Sequence, residues 1–163
     1  VVFVIQPTIV TWILIVFGFV TCGPLFYAQG IMILRPQSRA AKDLVVGKDM
    51  DWRDRTHFTS SVGGAFADWI VVAPLLVTGT IGVLLGTVWG YLLYAASGAI
   101  MLYINVILWF QEKEYVYPVT GPLAYYTYYW GDFMYWGTAA VMYALPGSMG
   151  SIFNRGDGTG NVN

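Results

Sequence analysis

The chain has 163 residues, 57% hydrophobic and only 10% charged, with a formal net charge of −1. An ordinary soluble domain carries about 25% charged residues, so this composition argues against a conventional water-facing globule, and the near-neutral balance offers nucleic acid no basic surface. The single cysteine, Cys22, excludes an internal disulfide.

Charge is clustered as well as scarce. Residues 1–34 carry none, residues 35–68 carry eleven of the seventeen, and 43 consecutive neutral residues separate Asp68 from Glu112. A helix needs about 20 apolar residues to cross a hydrocarbon core roughly 30 Å thick. The pattern predicts an all-α integral membrane protein, a four-helix transmembrane bundle with short loops. Its single domain covers 1–146, and a Gly/Asn-rich C-terminal tail covers 147–163.

The first span is expected over about 8–27, with Pro7 at its start, where a missing N–H does little harm. The neutral stretch continues to Leu34. One straight helix of that whole stretch would be about 51 Å long, so Gly23-Pro24 is expected to kink it or end its straight part. No basic segment precedes the apolar run, so no conventional signal peptide is visible.

A polar loop, 35–62, follows. It holds Arg35, Arg39, Lys42, Lys48, Arg53 and Arg55, against Asp43, Asp49, Asp51 and Asp54. Ser38 to Val46 suits a short helix lying in the interface, with Ala40, Ala41, Leu44 and Val45 as its apolar side. A lipid headgroup could sit against this loop, although the acids dilute the bases.

Spans over about 63–85 and 87–110 follow as a hairpin. Gly82, Gly86 and Gly90 lie four apart across the turn, and Ala95 and Ala99 repeat the spacing. Small residues so placed let backbones approach closely. The fourth span is expected over about 122–145, after the breaker Gly121-Pro122. Trp12, Trp52, Trp69, Trp89 and Trp109 fall near predicted span ends, where amphipathic rings anchor.

Basic residues collect on the cytoplasmic side of membrane proteins. The loop 35–62 and the Lys113 link would then face the cytoplasm, with both termini on the non-cytoplasmic side, as in a bacterial inner membrane.

The sharpest chemical signal is Asp132. It is the tenth residue after Pro122, about 15 Å along the fourth helix, and intramembrane carboxyls are functional candidates. Helical spacing surrounds it with Tyr125, Tyr128, Tyr129, Tyr135 and Trp136. The structural reading is a buried network of phenols around a carboxyl; the functional reading is a proton-carrying or ligand-orienting group. Asp68 and Asn105 form a second polar pair, each roughly 8 Å inside its span. They either staple two helices or extend a polar path toward Asp132.

His57 is the only histidine, a weak candidate as a single metal or pigment ligand; otherwise no metal set is apparent. No hydrolytic, nucleotide-binding or zinc-protease motif occurs, which weighs against a catalytic activity of its own, and the residues name no cofactor. The expectation is a small accessory subunit that packs and stabilises larger membrane-protein partners, lipids or cofactors within the lipid bilayer. A proton-coupled carrier or quinone- or lipid-binding protein using Asp132 is the alternative, and a membrane-embedded enzyme acting on lipid a weaker third.

Overall fold

The computed structural model describes residues 7–156, with side chains described for all of these except 115–117, 119, 120, 128, 129 and 150–156. The described chain is helical, without a strand. It forms α1 (Ile9–Leu34), α2 (Arg39–Val45), α3 (Arg55–Ala67), α4 (Ala73–Leu84), α5 (Val88–Ala124) and α6 (Gly131–Gly156). Single π-helical turns occupy Asp68–Val72 and Tyr125–Tyr129.

Among the described residues, three stretches are long and apolar enough to cross a membrane: Ile9–Leu34, Arg55–Leu84 and Val88–Glu114. They identify the class, a helical membrane protein. The fourth expected span, 122–145, is not one of them. Its segment is interrupted rather than continuous. Gly121 is non-helical (φ 75°, ψ 171°), Tyr125–Tyr129 is π-wound, and Trp130 leaves helical geometry (φ −127°). The helix beyond runs past Leu145 and through Pro146 to Gly156, so the part of the expected tail up to Gly156 is helical. The rest of the tail lies outside the described residues.

The first span also differs from expectation. α1 continues through Pro24 to Leu34, because one proline removes only one backbone donor. It ends where Pro36 disfavours helical geometry at Arg35. The second span begins earlier than 63 and is a rod of 30 residues in three pieces, α3, a π-turn and α4. Pro74 explains the π-turn. Its ring would clash with the carbonyl four residues back, and the wider turn lets the Ala73 N–H reach the Asp68 carbonyl instead.

The chain forms two compact units, Val1–Gly18 with Leu75–Asn163, and Phe19–Pro74. In the Phe19–Pro74 unit, α2 packs through Ala41 onto Met32 and Ala65, surrounded by Ile31, Ile33, Trp52, Phe58 and Val62. Ser38 caps α2 by accepting from the Ala41 N–H (3.2 Å), and Asp54 caps α3 by accepting from the His57 N–H (2.8 Å). Ala41 is buried, whereas Ala40 and Leu44 face outward. The loop acids are matched locally: Arg39 holds Asp43 (2.9 Å) and Asp49 (3.0 Å), and Lys42 holds Asp51 (2.7 Å). The Lys42 hydrogen bond, helped by the Trp52 N–H, keeps the Asp51 carboxyl below its ordinary range.

In the other unit, α4 and α5 form the expected hairpin. Gly86 supplies the left-handed turn residue (φ 64°). Thr87 caps α5 by accepting from the Gly90 N–H (3.3 Å), while its hydroxyl donates to the Gly82 carbonyl (2.8 Å). A Cβ on Gly90 would lie 2.1 Å from the Gly82 carbonyl carbon, and one on Gly79 would lie 2.7 Å from the Tyr94 nitrogen. The two backbones touch, which only glycine permits. Ala95 is buried beside this seam, but Ala99 is exposed, so the alanine pair does not extend it.

α6 lies antiparallel on α5. Gly98 faces Gly137 and Ala140, while Tyr91 covers Gly147 nearer the start of α5. Trp136 fills the centre. It is fully buried, edge-on to Tyr94 (centroids 5.7 Å apart), over Gly18, and donates from Nε1 to the Leu14 carbonyl (3.1 Å).

Candidate functional site

Asp68, inside the apolar stretch Arg55–Leu84, and Asp132, in the first turn of α6, each adjoin a π-turn. Single π-turns inside helices frequently mark functional sites. Asp68 opens the first π-turn. Its carboxylate is half-buried and accepts a short hydrogen bond from the Gln29 side-chain amide on α1. Phe26 lies edge-on to Trp69 beside it, with centroids 5.8 Å apart. The amide oxygen of Gln29 is buried and has no hydrogen-bond partner among the described residues. A sequence reading has no direct signal for Gln29, because its partner is 39 positions away.

Asn105, expected opposite Asp68, is buried and turns its amide back to the Met101 carbonyl (2.8 Å). That bond lies within α5 and neutralises the polar group locally. Both residues of the expected pair are thus engaged elsewhere: Asp68 with Gln29, Asn105 with its own helix.

Asp132 lies in the first turn of α6, just beyond the second π-turn, rather than midway along one continuous helix. A helix N-terminus favours a carboxylate. Along the bundle it falls between two landmarks. Gly137 meets Gly98 on one side, and Tyr125 and Tyr126 stack on Trp109 on the other, with centroids 5.2 and 4.8 Å away. Asp132 is half-buried and makes no side-chain hydrogen bond among the described residues.

Two of the phenols expected around it, Tyr125 and Tyr135, are committed elsewhere. Tyr125 is buried and donates to the Trp109 carbonyl in a short hydrogen bond. Tyr135 is 54% exposed and donates to the Tyr126 carbonyl (3.2 Å). The side chains of Tyr128 and Tyr129 lie outside the described residues. For Tyr125 the physical reason is the π-turn. It inserts a residue into the helical register, so Tyr125, counted at i−7 from Asp132, leaves its face. Gly131 permits the tight passage, since a Cβ there would lie 1.7 Å from the Tyr126 oxygen.

A better-closed polar cluster, which sequence spacing does not reveal, sits further along α6. The hydroxyls of Thr11 and Tyr143 meet at 2.5 Å, and Tyr143 leans on Tyr91 (centroids 6.0 Å apart). Tyr143 falls on the helical face of Asp132 in the sequence, but Thr11 is 132 positions away. His57 stands in the first turn of α3, edge-on to Trp52, with ring centroids 5.5 Å apart.

No protein-family model, curated protein or solved structure matches this chain. Its function must therefore be argued from these residues.

Proposed function

We propose that this chain is a small multi-pass subunit of a larger membrane complex, packing against partner helices and stabilising them with their lipids or cofactors. The observation that carries the reading is an outward seam of small residues on α3. Gly63 and Ala67 are one helical turn apart and both exposed, and nothing lies within 4 Å of a Cβ built on Gly63 or Gly64. Glycine in an exposed helix interior loses about 1 kcal/mol relative to alanine. In a membrane it is useful where another backbone approaches. Only 33% of each apolar spanning window is buried within the chain, leaving wide faces for other helices or lipid. Ser97, Asn105 and Ser148 on α5 and α6, by contrast, each donate to a backbone carbonyl of their own helix, as scaffold rather than open chemistry.

Purification in mild detergent, with mass spectrometry of all that travels along, tests this. A subunit brings larger membrane proteins at fixed stoichiometry, and Gly63→Leu releases them while leaving the chain helical. A chain that purifies alone from native membranes under every mild condition contradicts it.

The second reading, a proton-coupled carrier or quinone- or lipid-binding protein, is favoured by the π-turns that adjoin Asp68 and Asp132. It requires Asp132→Asn to abolish transport or ligand binding while assembly persists.

A further inference from the structure

The loop after α1 is dense in charge, yet its ion pairs are unevenly shared. Arg39 and Lys42 take Asp43, Asp49 and Asp51. Asp54 caps α3. Arg35 has no ion pair or side-chain hydrogen bond among the described residues, and it is exposed. It is also the first charged residue of the chain and directly follows Leu34, the last residue of an apolar spanning stretch. That position puts its guanidinium at the level where hydrocarbon gives way to headgroups.

Beside it lies a recess of about 320 Å³ lined by Ile31, Leu34, Arg35, Ser38 and Ala40. The lining is almost wholly apolar, with Ile31, Ala40 and the 81% exposed Leu34 among its walls. Arg35 and Ser38 are the lining residues that carry polar groups. The Ser38 oxygen accepts from the Ala41 N–H (3.2 Å), which leaves its own O–H free to donate.

We propose that this recess seats one anionic glycerophospholipid from the surrounding leaflet. Arg35 and Ser38 bind its phosphate, and Ile31, Leu34 and Ala40 take the first methylenes of its acyl chains. A guanidinium matches phosphate oxygens in geometry and charge. Arg39 and Lys42 are taken up by loop acids, whereas the charge of Arg35 beside the recess is not, which favours a lipid of net negative charge over a zwitterionic one. The leaflet is the source of the phosphate, because the apolar lining of the recess has no use for a free ion. The site is separate from the α3 seam, so it stands whether or not a partner subunit exists.

The test uses delipidated full-length protein in detergent with an equimolar mixture of phosphatidylglycerol and phosphatidylcholine, read by native mass spectrometry. The wild type should retain one phosphatidylglycerol per chain in clear preference. Arg35→Gln should lower that preference about fivefold, the equilibrium weight of one basic side chain at headgroup depth. Ala40→Trp keeps the charge but fills the recess, and should reduce total retained lipid. Lys48→Gln should change neither quantity. Circular dichroism of each variant confirms that it is folded. Equal retention of the two lipids by the wild type, or an unchanged preference in folded Arg35→Gln, overturns the proposal. So does undiminished lipid on Ala40→Trp.

Discussion

Gly90→Ala against Gly64→Ala is the most informative pair of substitutions, because the same chemical change should act with opposite sign. A Cβ on Gly90 would lie 2.1 Å from the Gly82 carbonyl carbon and 2.4 Å from its Cα. Carbon atoms rest about 3.5 Å apart, so the hairpin must open by roughly 1.4 Å. No rotamer can relieve a backbone-on-backbone contact, and overpacking typically costs 1–3 kcal/mol. The helix-propensity gain of about 1 kcal/mol offsets part of this. We expect a net loss of about 2 kcal/mol at the upper end of that range. Gly64 has open space around its Cβ position, so Gly64→Ala should gain up to about 1 kcal/mol in the isolated chain. Unfolding in mixed micelles of rising denaturing-detergent fraction, followed by circular dichroism, gives both values. A Gly90→Ala chain as stable as wild type would refute the close hairpin, and an equal loss in both variants would refute the assignment of inner and outer faces.

Trp136→Phe should lose about 1 kcal/mol, in line with single intramembrane hydrogen bonds, while Trp136→Ala should lose about 3–5 kcal/mol; the same unfolding assay measures both, and equal effects would mean that the Leu14 hydrogen bond carries no weight. For Asp68 and Gln29, a double-mutant cycle with Leu at each position should return a coupling of about 0.5–1.5 kcal/mol, and additivity would remove the pairing. At Asp51 the folded carboxyl is held below its ordinary range, chiefly by Lys42. Its contribution is therefore fully present above that range and lost as pH falls through the depressed value. Wild type and Asp51→Asn should differ slightly in thermal midpoint at neutral pH and converge in strong acid, and a gap that widens on acidification contradicts the assignment.

Much of the fold is legible in the spacing of charge. Asp68 and Glu112 bracket the hairpin, Gly86 marks its turn, and Arg35 marks the end of α1, because a charged side chain is costly in hydrocarbon and glycine alone relieves certain backbone conflicts. What spacing cannot show is helical register. Pro74 and Gly131 each accompany a π-turn, and one inserted residue rotates everything beyond it off the expected face. This is why Tyr125 turns to a backbone carbonyl rather than to Asp132. Partners distant in sequence are likewise hidden. Gln29 with Asp68, Thr11 with Tyr143 and Leu14 with Trp136 are products of packing, and no local pattern announces them. The fourth span illustrates both limits: Gly121-Pro122 was readable as a breaker, but the second interruption at Trp130 has no proline to reveal it.

The most direct measurement is sided thiol labelling in sealed membrane vesicles, in a Cys22→Ser background, with Asp51→Cys, Leu85→Cys and Glu114→Cys introduced one at a time. These positions flank the second and third apolar stretches. Membrane crossing by both stretches predicts that an impermeant reagent reaches positions 51 and 114 from one face and position 85 only from the other. Labelling of all three from the same face would contradict it.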